Sequence, residues 1–204
     1  MPQPLSRVMP DAPVVLGNAG HRALSERPHL AVLAMEAIAS SSNVDSFLLK
    51  LFVKLLGGDT SLATRIYLKL EIRSAKSIAL IEAIDSIEDA RYAELARAIV
   101  ALSKSNQKDR DKLAHHVWGI SPRLPDALLL LDPKTMTESA LDRDAIYVYK
   151  ADDFGDIIAA NDRLCGYTLN LLFILSGHGS NRGDALYNQL CKEPEIRERL
   201  DRQA

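Results

Sequence analysis

Residues 108–119, KDRDKLAHHVWG, gather several side chains whose types and spacing could do chemistry. Arg110, Asp111 and Lys112 are followed within four residues by His115 and His116. An imidazole exchanges protons near neutral pH, and a guanidinium binds a phosphate through two parallel hydrogen bonds. Together these groups indicate acid–base chemistry on a phosphate ester.

The order of these residues on a helix predicts different roles for the two histidines. At about 100° per residue, Asp111 and His115 stack one turn apart, so the carboxylate can orient the imidazole and favour its protonated form. His116 lies one turn from Lys112, whose positive charge has the opposite effect. Arg110 falls near the apolar face of the helix, where it needs a carboxylate or a groove between helices or subunits. We therefore expect His115 to be the better-placed acid or base.

The residues RDKLAH (110–115) resemble the R-x4-H motif of the HEPN superfamily, and His116 adds the R-x5-H spacing. HEPN domains are small helical bundles, often dimeric. Many are metal-independent endoribonucleases or toxins, and others are binding or scaffold modules. The resemblance implies that Arg110 and His115 are the catalytic pair. Asp111 stands where the family often has asparagine, which adds a negative charge near the scissile phosphate. RDKLAHHVWG followed by PDALLLLDP also looks like a group of bacterial helical proteins.

The function that this resemblance implies is a metal-independent endoribonuclease, as a toxin or a defence component, with no cofactor. Histidine would remove the proton of the RNA 2′-hydroxyl and protonate the leaving 5′-oxygen, while arginine stabilises the phosphate. Arg110 and His115 diverge by roughly 140° on one helix, so two copies of the motif would meet in a dimer. The implied partners are a second copy of the chain, RNA or a nucleotide, and an antitoxin or other protein.

Two other interpretations of the segment remain open. The same bundle could be a non-catalytic dimerisation and binding module. Alternatively, His115 and His116 are polar residues at a helix end that interact with the last carbonyls, and Arg110 forms a structural ion pair. We expect no metal site from Asp111 and the two histidines, since nothing marks the other histidines as further ligands.

A weaker phosphate-binding signal lies earlier in the chain. Arg65, Lys69 and Arg73 recur every four residues along a helix predicted from about residue 59 to 83. Such a stripe is ordinarily a solvated face. A sharper interpretation makes it a wall that faces RNA phosphates, to which Lys112 would also contribute.

Composition limits the class of protein. The 25 basic and 27 acidic side chains give a net charge of −2, which excludes a broad nucleic-acid-coating surface but not a small phosphate site. No uncharged apolar run approaches the ~18 residues of a membrane span, and the first 28 residues show no secretory signal. With two cysteines, Cys165 and Cys191, expected as buried thiols, we predict a cytoplasmic protein without a membrane partner.

The predicted fold is mainly α, a HEPN-like helical bundle with a small two-stranded β-hairpin insertion. Residues 1–28 are expected to form a flexible N-terminal arm, and residues 29–204 a single helical domain. The hairpin is predicted at about 126–152, from DALLLLDP (126–133) and the β-former-rich AIYVYKAD (145–152). Elsewhere apolar residues recur with the helical period, and KDRDKLAHHVWG is expected to continue a helix or to start a short one.

Overall fold

The computed structural model describes residues 2–10, 15–137, 142–177 and 180–202, with residues 135, 136 and 180–182 described by their backbone alone. Residues 11–14 of the predicted arm and 138–141 of the predicted hairpin loop lie outside these ranges. Where it is described, the chain is mainly helical, as predicted. The helices are α1 (Leu5–Val8), α2 (His21–Ser25), α3 (Pro28–Leu56), α4 (Thr60–Lys69), α5 (Arg73–Ile84), α6 (Ala90–His115), α7 (Ala151–Leu175), α8 (Ser180–Leu190) and α9 (Pro194–Asp201). The strands are β1 (Gln3–Pro4), β2 (Val117–Gly119), β3 (Leu128–Leu131) and β4 (Ile146–Tyr149).

The chain divides into two units, where the sequence led us to expect a single domain. The first unit comprises Met1–Ser41 and Asn106–Ala160, and the second comprises Ser42–Ser105 and Asn161–Ala204. Each unit has its own buried apolar clusters. The R-x4-H segment belongs to the first unit, and the basic stripe of Arg65, Lys69 and Arg73 belongs to the second.

A four-stranded antiparallel sheet, in the order β1-β4-β3-β2, is the centre of the first unit. The predicted hairpin is confirmed as the pair β3–β4, in which Leu130 is opposite Tyr147. The prediction of only two strands is wrong, since β2 pairs with β3 and β1 pairs with β4. A two-stranded hairpin leaves unpaired N–H and C=O groups along both outer edges, and the two short strands satisfy them.

Strand β3 is buried on both faces of the sheet. Its four consecutive leucines are each 0% exposed. Burial of each leucine side chain stabilises the fold by roughly 1.5–3 kcal/mol relative to an exposed side chain. Successive side chains point to opposite faces, so Leu128 and Leu130 pack in a cluster with Tyr149, Phe154 of α7 and Leu113 of α6. On the other face, the remaining two leucines pack in a cluster whose other buried members are Leu5, Ala127, Ile146 and Val148.

Parts of the N-terminal segment, for which we predict a flexible arm, pack against the sheet. Residues 3–8 form β1 and α1, and Leu5 is only 3% exposed. Further along, Gly17 N–H donates to the Ile120 carbonyl at 2.9 Å, and Ile120 N–H donates to the Asn18 carbonyl at 3.0 Å. These described parts of the segment are held by main-chain hydrogen bonds and apolar burial, neither of which has a local sequence signature.

Glycines and a capping aspartate set the boundary between α3 and α4. Gly57 and Gly58 have φ angles of 62° and 65°, a left-handed conformation that ends α3 and that glycine adopts without steric cost. The Asp59 side chain then accepts hydrogen bonds from the Ser61 and Leu62 amides at 2.8 and 3.1 Å. A capped start of this kind stabilises a helix by typically ~1 kcal/mol.

The helix predicted over residues 59–83 is two helices in the second unit. Helix α4 ends at Lys69, and α5 begins at Arg73. Leu70 and Ile72 both have extended backbone angles, which breaks the helical hydrogen-bond ladder. This break divides the predicted basic stripe.

The second unit is helical throughout its described part, around a cluster that includes Leu51, Leu80, Ile84, Leu95 and Leu171. The helical apolar period predicts the helices of this unit but not all of their buried faces, since Leu62 and Ile66, four residues apart in α4, are 49% and 44% exposed. None of the helices in the described ranges combines the length and the apolar character needed to cross a bilayer.

Candidate functional site

The segment KDRDKLAHHVWG forms a junction between a helix and a strand. Residues 108–115 are the last two turns of α6, and the His116 N–H donates to the Lys112 carbonyl at 2.9 Å to close the final turn. The expectation of a helix through the whole segment is wrong after His115. Val117 and Trp118 are β-branched and aromatic, and they pair with β3 instead. Both histidines therefore lie where α6 ends.

Buried residues on either side fix this junction. Leu113, in the last turn of α6, is 1% exposed and packs in the cluster beneath the sheet. Gly119, at the end of β2, lies so close to β3 that an added Cβ would be 2.9 Å from Leu131 Cδ1. A larger residue at Gly119 would displace either Leu131 or β2, and with β2 the adjacent histidines.

The two histidines differ in their access to solvent. His115 is exposed, whereas His116 is half-buried, with its Nδ1 buried and without a hydrogen-bond partner in the described part of the chain. Burial lowers the pKa of His116; the Asp132 carboxylate opposes this, and the charges of Lys112 and His115 add to it. The lowered pKa agrees with the expectation that the charged form of His116 is disfavoured, but its main cause is burial rather than the charge of Lys112. His115 is thus the accessible imidazole.

Arg110 forms an ion pair with its neighbour in sequence. Its Nη1 donates to Asp111 Oδ1 at 3.2 Å, and the two side chains are 32% and 48% exposed. The sequence led us to expect Asp111 to orient His115, and this contact adds a competing role for the carboxylate. Since a guanidinium has five N–H donors, the pair leaves donors of Arg110 for a phosphate.

Lys112 is held against the sheet. Its Nζ lies 4.2 Å from the ring centroid of Tyr147 in β4, a cation–π contact. The aromatic ring therefore stabilises the position of the Lys112 ammonium group, which is the group predicted to bind a phosphate.

Two titratable residues beside the motif were missed by the sequence-based prediction. Asp109 is half-buried, and burial raises the pKa of its carboxyl against the opposing charge of Lys112. Tyr149 is fully buried; burial, together with the charge of Asp109, raises the pKa of its hydroxyl. The spacing from Asp109 to Lys112 places both on one helix face, and alternation in β4 places Tyr147 beside Tyr149. The helical spacing and the strand alternation were therefore the sequence signals that could have identified Asp109 and Tyr149.

The predicted basic stripe does not form one helix face. Arg65 and Lys69 are exposed on α4. Arg73 begins α5 and its Nη2 lies 3.9 Å from Asp45 Oδ2. All three residues belong to the second unit, whereas Arg110 and His115 belong to the first.

The described side chains include no cluster of three histidine, cysteine or carboxylate groups that could hold a metal ion. The two cysteines are free, half-buried thiols. Burial, reinforced by Asp162, raises the pKa of Cys165, so this residue lacks the depressed pKa of a reactive thiolate.

The end of α6 thus presents an exposed imidazole, which can exchange a proton, and a guanidinium that has donors besides the one bonded to Asp111. The function of this segment must be inferred from its own residues, because the comparisons with known proteins do not identify a relative. No protein-family model matches the chain, and comparisons with curated proteins and with solved structures give no significant match either.

Proposed function

We propose that the chain is a metal-independent endoribonuclease of HEPN type, acting as a toxin or defence component. The observation that carries this proposal is the contrast between the exposed imidazole of His115 and the half-buried His116. A proton-transfer group must reach the substrate, and of the two histidines His115 has that access.

The proposed reaction uses the nucleophile that RNA itself provides. His115 as imidazole takes the proton of the 2′-hydroxyl, and the 2′-oxygen forms a bond to phosphorus. The bond from phosphorus to the 5′-oxygen breaks, and an imidazolium supplies the proton that this oxygen needs. Arg110 binds the non-bridging oxygens and stabilises their charge in the transition state. The products are a 2′,3′-cyclic phosphate and a free 5′-hydroxyl.

A second copy of the chain completes this site in the proposal. Arg110 and His115 diverge by roughly 140° around α6, which makes it difficult for one helix to present both to one phosphate. A two-fold axis near the end of α6 would pair the arginine of one copy with the histidine of the other. It would also supply two histidines, one as base and one as acid.

A non-catalytic binding module is the second candidate function, and the ion pair between Arg110 and Asp111 favours it. The Asp111 carboxylate competes with a phosphate for the guanidinium and places a negative charge beside it. RNA or a nucleotide could then be bound without cleavage, or the surface could serve a protein partner.

Cleavage of a generic single-stranded RNA by purified variants tests the proposal. We expect His115→Ala and Arg110→Ala each to lower the rate by ~10² or more, the scale of a lost proton-transfer group. His116→Ala is the matched control and should cost far less, because His116 is the less accessible histidine. EDTA should leave the rate unchanged, and the products should end in 2′,3′-cyclic phosphate.

The outcomes separate the candidates. If His115→Ala and Arg110→Ala cleave like the parent, the endoribonuclease proposal is wrong. Binding of RNA without cleavage, weakened by Arg110→Ala, would select the binding module. Loss of cleavage in EDTA with recovery in Mg²⁺ would indicate a carboxylate–metal nuclease instead. Asp111→Asn, which removes the competing charge, should preserve or raise activity.

A further inference from the structure

A cleft in the second unit lies between the end of α3 and the start of α4. It has a volume of about 480 Å³ and a mainly apolar lining, which includes Leu49 and Val53. This volume is within the roughly 300–1,000 Å³ range of small-molecule sites. The cleft contains none of the residues to which the endoribonuclease proposal assigns a role.

Two lysines line this cleft, and neither forms an ion pair with an acidic side chain in the part of the chain that the structure describes. Lys50 and Lys54 are four residues apart in α3 and therefore lie on the same side of the helix. Lys50 Nζ lies 4.5 Å from the ring centroid of Phe47, and Lys54 is exposed and has no ion pair with any described residue. The lining includes no Asp or Glu. Two positive charges beside an apolar surface suit a ligand that has both an anionic and an apolar part.

The turn between the two helices keeps this side of the cleft open. Gly57 and Gly58 line it, and among the described residues no heavy atom from beyond their immediate chain neighbours lies within 4 Å of the position where either Cβ would be. The amides of Ser61 and Leu62 already bind the Asp59 carboxylate. An anion in the cleft would thus depend on the lysines rather than on the amino end of α4.

We propose that this cleft binds a small amphiphilic anion, with its apolar body against Leu49 and Val53 and its head group paired with Lys50 and Lys54. The head is a carboxylate or a phosphate monoester, since both pair with ammonium groups. This binding is a second function, independent of RNA cleavage.

Calorimetric titration of the full chain with four probes tests the proposal. The probes are octanoate, octyl phosphate, octan-1-ol and inorganic phosphate, each below any aggregation threshold. We expect at least one of the two amphiphilic anions to bind about tenfold or more tightly than both octanol and phosphate, a difference of ~1.4 kcal/mol. The stronger of the two anions identifies the head group.

Three variants locate the binding. Lys54→Gln and Lys50→Gln should each weaken the stronger anion several-fold, and Thr60→Trp should abolish binding because its side chain fills the cleft. Lys104→Gln, at an exposed lysine of the same unit outside the cleft, is the control and should bind like the parent. Circular dichroism verifies that each variant is folded. The proposal fails if no probe binds, if octanol binds as tightly as the anions, or if folded Lys50, Lys54 and Thr60 variants all bind like the parent.

Discussion

Removing the buried hydroxyl of Tyr149 is expected to stabilise the protein. Tyr149 is 0% exposed, and its ring stacks on Phe154 with 5.5 Å between centroids. Its hydroxyl is buried and has no hydrogen-bond partner in the described residues. Such an unsatisfied group costs about 1–3 kcal/mol, whereas Tyr149→Phe keeps the ring and its packing. We therefore expect the free energy of unfolding in urea at pH 7 to rise by about 1–3 kcal/mol with an unchanged m-value.

Tyr147→Phe is the matched control for this experiment. Tyr147 lies on the same face of β4 but is half-buried, and phenylalanine keeps the ring that contacts Lys112. Its replacement should change the unfolding free energy by no more than about 0.5 kcal/mol. If Tyr149→Phe instead lowers the unfolding free energy by about 1 kcal/mol or more, the Tyr149 hydroxyl has a hydrogen-bond partner. Asp109, whose charge acts on that hydroxyl, would then be the residue to test.

Three further outcomes follow from the first unit. Burial raises the folded-state pKa of Asp109 above its ordinary 3.8, so the folded state binds this proton more tightly than the unfolded state does. The stability that protonated Asp109 contributes is therefore lost as pH rises from about 3.8 through the folded-state pKa. In urea unfolding across this range, the unfolding free energy of Asp109→Asn should rise relative to that of the parent, and a constant difference between the two would contradict the burial of Asp109. Leu130→Ala, at a fully buried position of β3, should lower the unfolding free energy by about 2–5 kcal/mol; a cost below about 1 kcal/mol would contradict the packing of the sheet. Leu5→Ala should cost about 2 kcal/mol or more in the same assay if α1 packs on the sheet, whereas a flexible arm would give no change.

The helices and the central hairpin could be predicted from the sequence because their signals are local. Apolar residues repeat with the helical period in the long helices, and the runs 126–133 and 145–152 contain the two central strands. Asp59 and the two glycines before it are a local signal of the same kind, since capping and left-handed turns depend on the residues at that position. Ser40 and Ser41 are compatible with the helix α3, because both hydroxyls donate to the Ala37 carbonyl within it.

The outer strands could not be predicted in this way. Gln3–Pro4 and Val117–Gly119 are too short to show a period, and they are strands because the edges of the hairpin provide hydrogen-bond partners. The same reasoning applies to Leu5, which is buried because the sheet has a second apolar face. Strand β1 depends on a partner strand, β4, that is more than 100 residues away in the chain. Strand β2 depends on the completed hairpin, because it pairs with β3.

At the candidate site, the sequence by itself determined the chemical types: a guanidinium, two adjacent imidazoles and an intervening lysine at fixed spacing. It also determined that Lys112 would disfavour the charged form of His116. Only the tertiary structure decided which histidine reaches solvent, because exposure depends on where α6 ends and β2 begins. It likewise placed Asp109 where its charge raises the pKa of the Tyr149 hydroxyl, 40 residues later in the chain. Spacing along one helix fixes the neighbours within that helix, whereas burial and its effect on a pKa are set by the elements that pack against it.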